Sequence, residues 1–160
     1  MAKGIFELVI AAIIGIAVFV MNVRFNQNCG GYLKQAADAN TVELATTRIG
    51  MALEYIEKEG LTSGYTSIIY KTEKENVGFW YENIKACKQE LDSVSGKSQL
   101  EQTNVLMKVR ESLLDDGKDG TELTVPTGIS RYPNNLIWAI AIWFAIGMGI
   151  FGIYDIQKEL

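Results

Sequence analysis

Apolar residues are concentrated at the two ends of this 160-residue chain. The stretch 5–23 has one charged residue, Glu7 in its first turn, and the stretch 136–154 has none. A helix of 19 residues is about 28 Å long at ~1.5 Å per residue, close to the ~30 Å hydrocarbon core of a bilayer. The pattern therefore predicts transmembrane helices at 5–23 and 136–154, preceded by a short terminal segment, 1–4, and followed by a short tail, 155–160.

The first apolar stretch is interpreted as an uncleaved membrane anchor. It is longer than the ~7–15 apolar residues of a removable signal peptide, and no small-x-small cleavage site follows in the sequence MNVRFNQNCGG. A lipoprotein signal ending at Cys29 is excluded, because the preceding residues NQN are polar where that signal needs small and apolar side chains. Both termini then lie on one side of the membrane.

The segment between the two stretches, 24–135, repeats apolar side chains at the three- and four-residue spacing of amphipathic helices. It predicts three helices, 32–59, 72–94 and 98–114. The second has the clearest pattern, a seam of apolar side chains along one side, as packing against neighbouring helices requires. The residues of this seam are the predicted core of the bundle: Val77, Trp80, Ile84, Cys87, Leu91 and Val94.

Capping boxes accompany the predicted helices, each with a hydroxyl or amide residue three positions before a glutamate. The pairs are Asn40 with Glu43, Thr72 with Glu75, and Ser98 with Glu101. The first pair applies if the first helix starts, or restarts, at that point.

Beyond the third helix the pattern stops at the turn-rich sequence DDGKDG. Residues 122–125 (ELTV) have the composition of a short extended segment, and Pro126, Gly128 and Pro133 exclude a long helix before the second apolar stretch. The path 115–135 is therefore predicted to be irregular. The fold class that follows is an all-α membrane protein, in which two transmembrane helices flank an extramembrane bundle of about three helices.

Small residues recur at four-residue spacing in both apolar stretches. They are Ala11 and Gly15 in the first, and Ala141, Ala145 and Gly149 in the second. Because small side chains let helix backbones approach closely in lipid, we expect these faces to pack on each other or on a partner's helices. Chance is the alternative, since Ala and Gly are common in membrane segments.

Charge argues against one class of partner and favours one orientation. The segment 24–135 has 13 Lys and Arg residues and 16 Asp and Glu residues, a net charge of −3. No basic stripe is present, so nucleic acid is not an expected partner. The amino terminus, Lys3 and Lys158 on the terminal side, against Arg24 and Arg131 on the other, slightly favour cytoplasmic termini and an extracytoplasmic (periplasmic or lumenal) central domain.

The residue types available for chemistry are few. The chain has no histidine and two cysteines, a set that lacks both a typical zinc site and the usual general base for a nucleophile. The GMGIFG sequence has the spacing of a dinucleotide-binding turn but lies within an apolar helix. Residues 115–120 imitate half of a calcium loop, which has Pro126 where a glutamate is needed. We therefore expect no catalytic residue, no metal site and no cofactor.

The two cysteines, Cys29 and Cys87, leave two alternatives open. One is a disulfide between them, which requires their Cα atoms to come within ~7 Å. The other is two separate thiols, with Cys87 in the core of the bundle.

Large apolar side chains also cluster around the connection between the first and second predicted helices. They are Tyr65, Ile68, Ile69, Tyr70 and Phe79. One interpretation is that the connection folds back over the core. The other is a membrane-distal patch that docks another protein, because aromatic clusters serve as interface anchors.

The order of one span, an external bundle and a second span resembles the input half of bacterial transmembrane receptors such as chemoreceptors and sensor kinases. This resemblance concerns topology only. Those receptors continue into a signalling module, whereas six residues follow the second span here. We therefore expect a non-enzymatic accessory or scaffold subunit, whose partners are the bilayer, other membrane subunits or further copies of the chain. The alternative is a ligand sensor that signals through a partner receptor, motivated by polar residues beside the apolar faces: Asn40, Arg48 and Arg110.

Overall fold

The computed structural model describes residues 2–69, 71–117, 120–128, 132–133 and 136–159. Within these ranges the chain is mostly helical, with six α-helices and one antiparallel pair of strands. The helices are α1 (Ala2–Phe25), α2 (Gly31–Ala37), α3 (Val42–Lys58), α4 (Val77–Val94), α5 (Gln99–Leu113) and α6 (Leu136–Lys158). The strands are β1 (Leu114–Gly117) and β2 (Gly120–Leu123).

The helices α1 and α2 form one continuous rod. A π-helical turn, Asn26–Gly30, joins them, and Gly30 and Gly31 keep right-handed helical dihedral angles. The rod Ala2–Ala37 contains 36 residues, which corresponds to about 54 Å. The sequence predicted a transmembrane helix ending at residue 23 and a separate bundle helix starting at 32. The structure instead extends the apolar N-terminal helix directly into the bundle.

The predicted helix 32–59 is divided in two at residues 38–41. The second part, α3, begins after Thr41, whose hydroxyl oxygen accepts a hydrogen bond of 3.2 Å from the backbone N–H of Leu44. The restart is thus capped by Thr41 and not by Asn40. As a result the bundle contains four helices, α2 to α5, and the prediction of about three helices is corrected.

The other two bundle helices begin at capped positions. In α5 both hydrogen bonds of the predicted box between Ser98 and Glu101 are present. The box between Thr72 and Glu75 also forms, but it closes a single 3-10 turn. Helix α4 begins five residues later than predicted, where the side chain of Asn76 accepts a hydrogen bond of 3.0 Å from the backbone N–H of Phe79.

The four bundle helices pack in a closed order, α2 against α3, α3 against α4, α4 against α5, and α5 against α2. Each helix thus packs against its neighbours in the chain, as in a four-helix bundle of up-down-up-down topology. The core lies between the helices, and its largest buried side chains include Phe25, Leu33, Ile49 and Ile56. The six residues of the predicted seam on α4 are all buried and belong to the same core: Val77, Trp80, Ile84, Cys87, Leu91 and Val94.

A β-hairpin replaces the first part of the path that was predicted to be irregular. Strands β1 and β2 pair in register from Leu114 opposite Leu123 to Gly117 opposite Gly120. Of the DDGKDG sequence, Asp115, Asp116 and Gly117 lie in β1 and Gly120 begins β2, whereas residues 118–119 lie outside the described part. Leu114 is buried in the bundle core and Leu123 packs against it, because the hairpin continues directly from α5. The all-α prediction is corrected by this small sheet.

Candidate functional site

Helices α1 and α6, here called the terminal pair, pack side by side in opposite directions. Their backbones approach each other closely at Gly4 and Gly152. A Cβ atom on Gly4 would lie 2.7 Å from the carbonyl oxygen of Gly152, and a Cβ atom on Gly152 would lie 2.9 Å from that of Gly4. Ile156 lies beside Gly4 and Leu8 beside Gly152, which fixes the antiparallel direction.

Three charged side chains meet at the same end of the terminal pair. The Nζ of Lys3 lies 2.9 Å from Oδ2 of Asp155 on α6 and 3.6 Å from Oε1 of Glu7 on α1. Glu7 is 9% exposed, and its Oε2 has no hydrogen-bond partner among the described residues. The ion pair between Lys3 and Asp155 therefore joins the first turn of one helix to the last turns of the other.

The small residues that were predicted to pack in the membrane do not lie at the contact between Gly4 and Gly152. Ala11, Ala141 and Ala145 are partly buried. Gly15 and Gly149 have no atom within 4 Å of the positions that their Cβ atoms would occupy. They are therefore not close-contact points between α1 and α6, and their packing on a partner's helices stays a prediction.

Sequence reasoning missed the two glycines that do form the contact. Gly152 belongs to the GMGIFG sequence, and Gly4 lies one residue before the predicted first span. The available signal was a pair of opposite charges. Lys3 lies one residue before Gly4, and Asp155 lies three residues after Gly152. Using it would have required the antiparallel register of the pair.

Away from their mutual contact, α1 and α6 expose apolar side chains. Both helices are long and apolar enough to cross a membrane. Of the 24 large apolar side chains that are exposed in the described residues, 17 lie on these two helices. Monomeric soluble proteins rarely leave contiguous apolar surfaces of this kind uncovered. The exposed residues occur all along both helices and include Ile5, Phe6, Ile13, Phe19, Ile137, Ile140, Trp143, Ile150 and Phe151.

An aromatic cluster joins the terminal pair to the bundle. Phe25, at the end of α1, contacts the ring of Tyr55 edge-on at 6.5 Å and the ring of Trp80 at 6.2 Å. Tyr55 lies near the end of α3 and Trp80 near the start of α4, so both helix ends lie at the end of the bundle closest to the terminal pair. We call this end the base.

The segment that leads towards α6 is fastened at the base as well. The indole Nε1–H of Trp80 donates a hydrogen bond of 3.0 Å to the carbonyl oxygen of Thr124. The hydroxyls of Tyr55 and Tyr132 lie 3.0 Å apart in a hydrogen bond. Burial and this hydrogen bond raise the pKa of Tyr55 far above its ordinary value, so its phenol is neutral.

The connection between α3 and α4 lies at the base, because α3 ends there and α4 begins there. The described residues of the predicted patch therefore lie at the end of the bundle that adjoins the terminal pair and not at the opposite end, and their role in docking another protein stays a prediction. Leu61 and Thr66 within the connection are fully buried, in agreement with the interpretation that it covers the core. Of the predicted patch, Ile68, Ile69 and Phe79 are exposed. Tyr65 is partly buried, and Tyr70 lies outside the described residues.

The structure contains no disulfide between Cys29 and Cys87, and both residues are buried thiols. Cys29 lies in the π-helical turn, close enough to Tyr55 to influence its ionisation. Cys87 faces α5, with Ser112 and Lys108 of that helix close to its thiol. The two thiols therefore face different neighbours, which corrects the disulfide alternative. Burial raises the pKa of the Cys87 thiol.

The polar residues that motivated the sensor hypothesis do not converge on an interior site. Asn40 is exposed. Arg110 is also exposed, and its guanidinium lies 3.4 Å from a carboxylate oxygen of Asp38. Arg48 is partly buried, with its guanidinium 3.5 Å from the sulfur of Met51. Asn40 and Arg110 therefore give the sensor hypothesis no support, Arg48 is partly buried, and the hypothesis stays a prediction.

A cleft of about 850 Å³ opens between α4, the end of α5 and the β-hairpin. Sequence reasoning did not anticipate it, since it depends on the hairpin. Its walls combine apolar and polar side chains, among them Phe79, Trp80, Asn83, Glu111, Glu122 and Thr127. A half-open cleft of this size could hold a small molecule or a peptide side chain.

Within the described part of the chain, no three His, Cys, Asp or Glu side chains are grouped so that they could hold a metal ion. Comparison of the chain with protein-family models, with curated proteins and with solved structures found no match.

Proposed function

We propose that the chain is a non-enzymatic accessory or scaffold subunit of a membrane protein assembly. The terminal pair crosses the bilayer as an antiparallel helical hairpin, with both termini in the cytoplasm and the four-helix bundle on the extracytoplasmic side, periplasmic or lumenal. The observation that carries the proposal is the apolar surface of the terminal pair. Each helix packs one face against the other helix and leaves its remaining apolar side chains exposed. Contact with lipid or with partner helices requires such exposed apolar faces.

The way in which α1 and α6 connect to the bundle favours a scaffold role over the relay of a signal. The rod Ala2–Ala37 carries α1 into the bundle without a break. On the other side, the β-hairpin and the segment after it separate α5 from α6. In the receptors that the topology resembles, a signal must leave through the second span. Here that span is not a continuation of a bundle helix, which supports a scaffold more than a relay.

The partner contact is assigned to the faces of Gly15 and Gly149. Both positions have open space beside them in the isolated chain, and small residues allow a partner helix to approach closely. Gly147 on α6 also has open space beside it and is a further position at which a partner helix can approach closely. Larger side chains at these positions would block a partner without disturbing the contact between Gly4 and Gly152.

The test has two parts, both on native membranes. Washing at alkaline pH should leave the chain in the membrane pellet, and mild-detergent extraction should yield a complex larger than the protomer. Gly15→Leu and Gly149→Leu should reduce the size of the complex, whereas the conservative change Gly15→Ala should not. Release of the intact chain by the wash would refute membrane insertion. A monomer of the unsubstituted chain after mild extraction would refute the scaffold role, and a complex of unchanged size in both leucine variants would refute the assignment of the partner contact to these faces.

The cleft favours a second candidate, a ligand sensor that signals through a partner receptor. Its test is native mass spectrometry of the chain after mild extraction. A bound small molecule that is lost in the variant Asn83→Ala, with the fold intact by circular dichroism, would support a sensor. An unliganded mass in both the parent and the variant would favour the scaffold.

A further inference from the structure

We infer that the connection between α3 and α4 is a third membrane contact, through which Ile68 and Ile69 enter the headgroup boundary of the bilayer that the terminal pair crosses. We call residues 61–69 the base loop. This inference rests on the proposed insertion of α1 and α6. It adds a surface that sets the height and tilt of the bundle relative to the membrane.

The first step is the position of the base loop. It follows α3, whose Tyr55 contacts Phe25, and precedes α4, whose Trp80 contacts the same ring. Phe25 is the last residue of α1 and lies where the apolar helix enters the bundle. The base loop therefore lies at the end of the bundle that faces the membrane when α1 and α6 are inserted.

The second step is that the base loop is fixed. The backbone N–H of Leu61 donates to Ile56 in a hydrogen bond of 2.8 Å, and that of Val77 donates to the carbonyl oxygen of Gly64 at 3.0 Å. The backbone N–H of Thr66 donates to Glu75 at 3.0 Å. The loop is thus attached to the bundle at residues 61, 64 and 66, just before Ile68 and Ile69.

The segment leading to α6 holds the base loop from the other side. The hydroxyl of Thr66 donates to the carbonyl oxygen of Thr127. Gly128 has φ +141° and packs so closely on Thr66 that a Cβ atom would meet its backbone. The loop is therefore held between α4 and the path to the second span.

The third step is the exposure of the two isoleucines on this fixed loop. Ile69 is 84% exposed and Ile68 is 41% exposed, whereas Leu61 and Thr66 in the same loop are buried. Adjacent apolar side chains that project from a hydrogen-bonded loop are suited to shallow insertion into the boundary between headgroups and acyl chains.

The residues that flank Ile68 and Ile69 are also suited to the headgroup boundary of a bilayer. The Nζ of Lys71 lies 5.8 Å from the centre of the Tyr65 ring, a cation–π contact. Lys74 follows within one helical turn and is exposed. Lysine and tyrosine side chains are enriched at membrane interfaces, where an apolar body and a polar end face different surroundings.

Lipid is a better occupant than a second protein for this surface. Two isoleucine side chains are far smaller than the ~800 Å² per partner of a stable protein interface. The surface instead lies at the same end of the bundle as the terminal pair, whose exposed apolar side chains are the proposed lipid contact.

Spin-label accessibility in reconstituted bilayers tests the inference. Single labels are placed at Ile69→Cys, at Ile13→Cys on α1 and at Leu100→Cys at the start of α5. Ile13 is 61% exposed and Leu100 is 72% exposed, so the three sites differ mainly in position. The native cysteines are buried, and unsubstituted protein measures their background. The probes are oxygen, which enters lipid, and a nickel chelate, which stays in water, in vesicles of phosphatidylcholine and phosphatidylglycerol.

The label at 69 should collide more with oxygen than with the nickel chelate, at a depth shallower than the label at 13, and the label at 100 should show the reverse. If 69 behaves like 100 while 13 reports lipid, the inference is overturned and the proposed insertion stands. If 13 also behaves like 100, the insertion itself is refuted. Protection of 69 from both probes would show coverage by protein and would likewise overturn the inference.

Discussion

The carbonyl oxygen of Gly152 occupies the space that a side chain on Gly4 would need, at 2.7 Å from the position of its Cβ atom. This reciprocal contact lies beside the ion pair between Lys3 and Asp155. The two features depend on each other, because the ion pair requires the close approach that the glycines permit. Substitution at either glycine therefore tests the antiparallel pairing of α1 and α6.

We expect Gly152→Leu to separate α1 and α6 at this end. Overpacking of this kind costs about 1–3 kcal/mol, since the groups nearest to the new side chain include the backbone of Gly4. A zero-length carbodiimide crosslink between Lys3 and Asp155, detected by mass spectrometry of the chain in detergent micelles, should be lost.

The matched control is Gly149→Leu, the same change three residues earlier on α6. Its side chain would enter open space, so the crosslink should form as in the parent. Equal crosslink yields in the two variants would contradict the pairing described here.

The thiols provide a second prediction. Because burial raises the pKa of Cys87, little thiolate is present near pH 8 and alkylation by iodoacetamide should be slow in the folded chain. Two thiols per chain should react after unfolding in denaturant without reductant. A variant with Leu100→Cys should gain one thiol that reacts rapidly while the protein is folded.

A disulfide would give a different result. In that case no native thiol would react in denaturant until a reductant was added. Rapid alkylation of Cys87 in the folded chain would contradict its burial between α4 and α5.

The third prediction concerns the attachment of the return segment at the base. Trp80→Phe keeps an aromatic ring beside Phe25 but removes the hydrogen bond to Thr124. The expected loss is about 1 kcal/mol in the free energy of unfolding, measured by denaturant titration of the full chain in micelles. Trp143→Phe on the exposed face of α6 is the control and should change the stability little. A loss of the same size in both variants would show that the hydrogen bond contributes nothing specific.

Local sequence signals located the helices of the bundle more accurately than their ends. The α4 seam and the box at Ser98 and Glu101 depend on residues within a few positions of each other, and both are present in the structure. The start of α3 was missed because Thr41 and Asn40 are both suitable caps, and only tertiary packing decides between them. The sequence pattern separated the first span from the first bundle helix between residues 23 and 32, but Cys29 and Gly30 are buried against the bundle and the rod stays helical there.

Features that depend on distant partners were not accessible from the sequence. The hairpin strands are four residues long and include Asp and Gly, which are poor strand formers, so their pairing depends on attachment to α5. The placement of the base loop follows from the reversal at residues 38–41, which changes which end of the bundle faces α1. The contact between Gly4 and Gly152 requires the register of two helices about 150 residues apart in sequence.

The last prediction concerns pH and the cap of α5. Hydrogen bonds from Ser98 hold the pKa of Glu101 below its ordinary value of 4.5, so the ionised form is favoured in the folded state. A carboxyl group with a lowered folded pKa stabilises the fold above its unfolded pKa, and this contribution is lost as the pH falls through the folded value. Glu101→Gln keeps an oxygen acceptor for Ser98 but has no charge. The variant should therefore be less stable than the parent at pH 7, and the difference should shrink below about pH 4.5.

Urea unfolding at pH 7, 5 and 3 measures this difference in stability, with Glu54→Gln on the exposed side of α3 as the control. A stability difference that is the same at pH 7 and pH 3 would show that the ionised carboxylate does not support the cap.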